Sequence, residues 1–212
     1  CHKLVHPFYS FLFYRKLVGV ENNFFLNKRF FIMDNRPIGL LDSGLGGLSI
    51  AKKVIEKLPN ESTVFIGDNA HMPYGNRTKE DIINLTRRSV KFLLNNDVKL
   101  VIFACNTATA AAMGTIEKEI EPQIIGVIQS GALAASRTTK NKKVAVVATS
   151  VTVGSHAYEK EIHFRDPEIE VTELATPKLA PLVEAQEEHA TNLKVVKESL
   201  APLKGKDFDT LV

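Results

Sequence analysis

From residue 36 onward, short apolar runs alternate with segments of helical period. "PIGLLDSG" reads as a strand entering a glycine-rich turn. "LSIAKKVIEKLP" sets Leu48, Ala51, Ile55 and Leu58 at helical spacing, with Pro59 as the stop. "TVFIGD" is a second strand, and residues 79–95 a long helix on Ile82, Leu85, Ser89 and Phe92. "KLVIFAC" is a third strand, residues 107–120 an Ala-rich helix, and "QIIGVIQ" a fourth strand. The alternation continues through the strand "KVAVVATS", a helix near "SHAYEKEI" and the strand "IEVTEL". A helix over Leu193, Val196, Leu200 and Leu203 and the apolar run "FDTLV" complete it. Strands of four to seven apolar residues between helices predict an α/β protein built on mostly parallel sheets covered on both faces. The polar stretch "TTKNKK", with Lys140, Lys142 and Lys143, marks a division between residues 129 and 143. The expected organisation is a first α/β domain over 33–130 and a second over 131–212.

Residues 1–32 break this order. They hold nine of the sixteen Phe and Tyr residues without a steady period of two or 3.6, so they are read as a leader outside the fold. They also distort the charge balance. The formal net charge is +3, from 27 basic and 24 acidic groups, but five of the basic groups and only Glu21 among the acids lie in this stretch. The body carries 22 basic against 23 acidic groups, which offers no field for a nucleic acid. No apolar run reaches the roughly 18–20 residues that span a bilayer, so no membrane partner is expected. Two cysteines, Cys1 and Cys105, make no disulfide framework and point to a reducing cytoplasm. Without CxxC, HExxH or a spaced His/Cys cluster, no metal is expected.

Chemistry concentrates where ligands collect in such sheets, at the carboxyl ends of the strands. Asp42 and Ser43 follow the first strand, Asp68 the second, Cys105 and Asn106 the third, and Thr149 the fifth. "DSGLGGLS" matches the start of a dinucleotide fingerprint, but Asp42 before the turn opposes a pyrophosphate, and the glycines serve a small carboxylate equally well. Asp42 reads otherwise as a helix cap. Cys105 stands just before a helix, whose N-terminus favours a thiolate and lowers the thiol pKa; the competing reading is an inert core thiol. His71 is a base or a loop residue, and Tyr74, near Gly75, a lid over a ligand or a loop anchor. Thr149 and Thr152 are ligand hydroxyls or caps, and Glu184 a functional acid or part of a solvated helix face. Together they suggest thiol or carboxylate work on a small carboxylate-bearing molecule.

The segments "PIGLLDSGLGGLSI", "GDNAHMPYGNR", "VIFACNTATAA", "IIGVIQSGALAA", "ATSVTVGSHAYEKEI" and "PLVEA", in this order over residues 37–184, resemble the cofactor-independent glutamate racemases of bacteria. The resemblance covers roughly residues 34–212. It implies two α/β domains with the active site in the cleft between them and interconversion of L- and D-glutamate, with D-glutamate passing to peptidoglycan. It implies no cofactor, a cytoplasmic location and glutamate as partner, and leaves a homodimer open. By resemblance Cys105 is one of two thiols on opposite faces of the substrate Cα, assisted by Asp42. Ser43, Tyr74, Gly75, Asn106, Thr107, Thr149 and Thr152 then hold the α-amino and carboxylate groups. Glu184 orients the histidine that serves the second cysteine. In the family, a run like "DTLV" leads into a Gly-Cys-Thr-His segment bearing that cysteine and histidine, so the expectation is a fragment with an incomplete second domain and no turnover. The alternatives are a glutamate- or partner-binding fragment and a related aspartate or hydantoin racemase.

Overall fold

The structure, a computed structural model, describes residues 34–185 and 189–212; the expectation for the leader at 1–32 falls outside them. Four strands, β1 (Ile38–Asp42), β2 (Thr63–Gly67), β3 (Leu100–Phe103) and β4 (Gln123–Gly126), form a parallel sheet in the order β2-β1-β3-β4. Three more, β5 (Lys143–Ala148), β6 (Glu170–Ala175) and β7 (Thr210–Leu211), form a second parallel sheet in the order β6-β5-β7. The α/β reading with mostly parallel sheets is therefore right. β1 is central and all five of its residues are buried, which is why it reads as an unbroken apolar run. The register sets Asp42 beside Gly67 and Phe103 beside Gly126, so the carboxyl ends of the first four strands share one edge.

The helices are α1 (Gly47–Lys57), α2 (Lys79–Leu94), α3 (Asn106–Ile116), α4 (Val127–Thr138), α5 (Ser150–Ser155), α6 (Ala157–Arg165), α7 (Leu179–Ala185) and α8 (His189–Leu200). α2 starts where its sequence dictates. The Thr78 hydroxyl accepts from the Asp81 N–H at 3.1 Å, and Glu80 and Asp81 supply negative charge to the first turn. Leu41, Ile82, Leu93, Val101, Phe103 and Ile116 fill the core of the first sheet. α4 packs with the second sheet instead: Ile128, Ala132 and Ala135 meet Val144, Val146 and Ile162. The stretch in which a division was expected is thus largely this helix.

Three expectations about elements need correction. The buried face of α1 is not Leu48, Ile55 and Leu58, which are 49%, 37% and 47% exposed. It runs through Gly47, Ile50, Ala51 and Val54, because Gly47 is the residue that lets the helix lie against Asp42 and Ala104. On α2, likewise, Leu93 is buried and Phe92 is not. The fourth strand stops at Gly126, where a Cβ would stand 2.4 Å from the Thr109 methyl, and "VIQ" begins α4. The i, i+4, i+7 spacing of Ile128, Ala132 and Ala135 carries that helix. α5 was also missed; at six residues it is too short to show a period. Among the described residues, no helix is long and apolar enough to cross a membrane.

Candidate active site

Cys105 lies two residues past β3, buried, at the N-cap of α3. Its Sγ accepts from the Ala108 N–H at 3.4 Å and donates to Ser43 Oγ at 3.4 Å. Ser43 arrives from the neighbouring β1, whose last residue, Asp42, is also buried. The Asp42 Oδ2 accepts from the N–H groups of Gly44 (3.2 Å) and Gly47 (2.9 Å), so it ties the glycine turn to the start of α1. Asp42 is thus a capping carboxylate at the start of α1, and its negative charge also acts on the Cys105 thiol.

That proximity reverses one expectation. The N-terminus of α3 was expected to lower the Cys105 pKa; instead the thiol is pushed up to about 11. Burial is the main cause and the Asp42 charge the second, while the bonds from Ser43 and Ala108 pull back incompletely. Desolvation disfavours the thiolate more strongly than one helix end favours it. Alkylation of Cys105 in the folded protein should therefore accelerate about tenfold for each pH unit between 7 and 9.5, since only the thiolate reacts. Peptide mass spectrometry separates this thiol from Cys1. A rate that levels off near pH 8 would mean an activated thiol in the free protein.

The loop after β2 closes one side. Tyr74 is buried and its hydroxyl donates to Asp68 Oδ2 at 2.7 Å, while His71 Nδ1 stands 2.7 Å from Asp68 Oδ1. Burial, followed by its bond to Asp68, pushes the Tyr74 phenol far above the usual range, so it stays a neutral donor. His71, offered by the sequence as a base, is partnered with Asp68 on the rim. The neighbouring Gly75 packs on Thr149, which follows β5; a Cβ there would meet the Thr149 methyl at 2.7 Å. Gly75 is thus a point of close approach between the two halves of the protein.

Hydroxyls continue across the same seam. Thr107 Oγ1 lies 3.0 Å from Thr149 Oγ1, which lies 3.1 Å from Thr152 Oγ1. Thr149 also caps α5 by accepting from the Thr152 N–H at 3.4 Å. Asn106 bridges in parallel, with its Oδ1 accepting from the Tyr158 hydroxyl at 2.9 Å. A cavity of about 480 Å³ opens beside Asn106, Thr149, Thr152, Tyr158 and Thr176, and α7 contributes Leu179, Ala180 and Val183 to its wall. Glu184 is on α7, but its side chain lies outside the described residues.

The structure brings together Asp42, Ser43 and Cys105 as one group, and Thr107, Thr149 and Thr152 as another, with Asn106 beside the second and Gly75 where the halves meet. Sequence reasoning passed over Tyr158, whose hydroxyl makes the Asn106 bridge and which burial pushes up to about 12. It also missed Asp68 as the anchor of Tyr74. The signal for Asp68 was present in its place at a strand exit, three residues before His71 and six before Tyr74.

These features agree with comparisons to known proteins. The profile of the Asp/Glu/Hydantoin racemase family matches residues 38–212. A glutamate racemase of Lactobacillus acidophilus is 83% identical over 180 residues, which are 85% of this chain and 67% of the relative. The solved glutamate racemase isoform of Bacillus anthracis superposes with a TM-score of 0.80 at 41% identity, covering 82% of this chain and 66% of that one. The Francisella tularensis glutamate racemase, solved with D-glutamate, gives a TM-score of 0.77 at 35% identity, over 84% of this chain and 67% of that one. This chain thus spans about two thirds of the length of its relatives. With the sheet order, the thiol at the end of β3 and this match over nearly all described residues, the chain belongs to the Asp/Glu/Hydantoin racemase family.

Proposed function

We propose that this chain is the larger part of a glutamate racemase that interconverts L- and D-glutamate by cofactor-independent proton transfer at Cα. The observation that carries this reading is the buried Cys105 thiol, held between Ser43, the charge of Asp42 and the start of α3. The relatives named above are glutamate racemases, which favours glutamate over aspartate or a hydantoin as substrate. D-Glutamate would serve peptidoglycan synthesis.

In this reading Cys105 exchanges a proton with one face of Cα. Burial keeps the free thiol protonated, which suits the step in which it donates to a carbanion. In the opposite direction it must first pass that proton to a base, the role assigned to the neighbouring Asp42 carboxylate, and the ammonium group of bound glutamate supplies positive charge that stabilises the thiolate. An α-proton beside a carboxylate is very weakly acidic, so the developing charge needs donors set in advance. Ser43, Asn106, Thr107, Thr149 and Thr152, with backbone N–H groups at the start of α3, are assigned to the substrate's carboxylate and amino groups. Tyr74 and Gly75, the latter packed on Thr149, are assigned to the same groups. Inversion also needs an acid on the other face; a second thiol, with a histidine oriented by Glu184, is assigned to it.

A polypeptide of residues 33–212 contains a single thiol, Cys105. It is expected to hold glutamate without inverting it, because water would reprotonate the far face slowly and without fixed geometry. Circular dichroism should show no inversion above the level of a Cys105→Ser control. Robust inversion would show that another group in this polypeptide acts as the second acid, with His71 the first to replace.

A further inference from the structure

Away from the cleft, the junction of α5 and α6 gathers three ligand-type side chains that the racemase reading does not use. His156 ends α5 in a left-handed conformation (φ 53°), which a non-glycine residue adopts at some cost. That conformation holds its Nδ1 2.7 Å from Glu173 Oε2 on β6 and 3.2 Å from Glu159 Oε2 on α6. The three ligating atoms all lie within 4.8 Å of one another.

Glu173 supplies the second, independent observation. Its side chain is only 7% exposed, yet its other oxygen, Oε1, is buried with no hydrogen-bond partner. Among the described residues, no Lys or Arg lies within 4.0 Å of Glu159 or Glu173; their one basic side-chain neighbour in that range is the His156 imidazole. The nearby Lys160 amine donates to the Ser155 carbonyl at 2.8 Å. Two carboxylates facing one imidazole, with a buried oxygen unsatisfied, make an arrangement that a divalent cation completes.

We propose that His156, Glu159 and Glu173 form a zinc-class divalent-cation site that clamps β6 to the α5–α6 junction. Two carboxylates and a neutral imidazole balance a doubly charged ion. Bonds of about 2.0–2.2 Å from one ion place its ligands roughly 2.9–3.5 Å apart; the two distances from His156 Nδ1, 2.7 and 3.2 Å, lie close to that range, and the two carboxylates are within 4.8 Å of each other. The imidazole selects against magnesium and calcium, which take oxygen ligands. The exposed ring of His156, 56% accessible, leaves room for water to complete the coordination shell. The clamp would steady α5, the helix that carries Thr152 and is capped by Thr149.

Calorimetric titration of zinc into the full 212-residue protein tests this, with Cys1→Ser and Cys105→Ser in place so that neither thiol contributes. One saturable equivalent is expected. His156→Asn, which tolerates the left-handed backbone, and Glu159→Gln, on the partly exposed α6 surface, should each weaken binding by about tenfold or more. Cobalt should give a visible absorption band that both variants lose, and magnesium at the same concentration should not compete. The absence of saturable zinc binding, binding unchanged in both variants, or equal competition by magnesium would overturn the proposal.

Discussion

Replacing Cys105 with serine in a complete racemase is expected to lower glutamate turnover by about three orders of magnitude or more while leaving the fold in place. A suitable protein joins residues 38–212 of this chain to the remainder of the Lactobacillus acidophilus relative, with which it shares 83% identity. Serine keeps the size and can remake the bonds to Ser43 and the Ala108 N–H. What it lacks is an ionisable proton in the accessible range. Burial and the Asp42 charge push the Cys105 thiol up to about 11, still within reach of proton transfer, whereas a hydroxyl stays protonated throughout. General acid–base groups contribute on the order of 10²–10⁴-fold, and in the proposed mechanism this one acts in every turnover in both directions. Thermal unfolding should be nearly unchanged. Turnover at the parent's rate would make Cys105 a core residue.

The second large effect concerns stability. Gly47→Ala should destabilise the protein by about 2–3 kcal/mol, because the added carbon falls 2.6 Å from Asp42 Cβ and 3.0 Å from Ala104 Cβ. Neither neighbour is the free end of a flexible chain. The helix would have to move away, and Asp42 would lose its 2.9 Å bond from the Gly47 N–H. Gly114→Ala is the matched control. It lies inside α3 with nothing within 4 Å of the new carbon, and should stabilise by about 0.5–1 kcal/mol. Urea unfolding of both variants measures the contrast; equal effects would show that the turn at Asp42 can relax.

The parallel sheets and most strand positions were legible because fully buried strands such as "IGLL" leave continuous apolar runs. Helix faces were less legible. On α1 the sequence offers Leu48, Ile55 and Leu58, but the surface that packs is chosen by the absence of a side chain at Gly47, which hydrophobic periodicity does not register. α4 was hidden because "IIGVIQ" is apolar throughout, and only the close approach at Gly126 marks the change from strand to helix. Strand exits identified Asp42, Ser43, Cys105 and Asn106 as a group. Which hydroxyls from the second sheet meet them depends on long-range packing, and Tyr158 carried no local signal. The direction of the Cys105 shift was misjudged for the same reason: the helix start is visible in sequence, whereas complete burial beside Asp42 is a tertiary property.

The claim that Cys105 works directly on the glutamate α-proton is tested by solvent deuterium wash-in at Cα, followed by proton NMR in the joined racemase and its Cys105→Ser variant. The parent should incorporate deuterium with each inversion. The variant should fall by at least about three orders of magnitude in the deuterated enantiomer formed by inversion, at unchanged thermal stability. Deuterated product of inverted configuration appearing at the parent's rate in the variant would contradict the account.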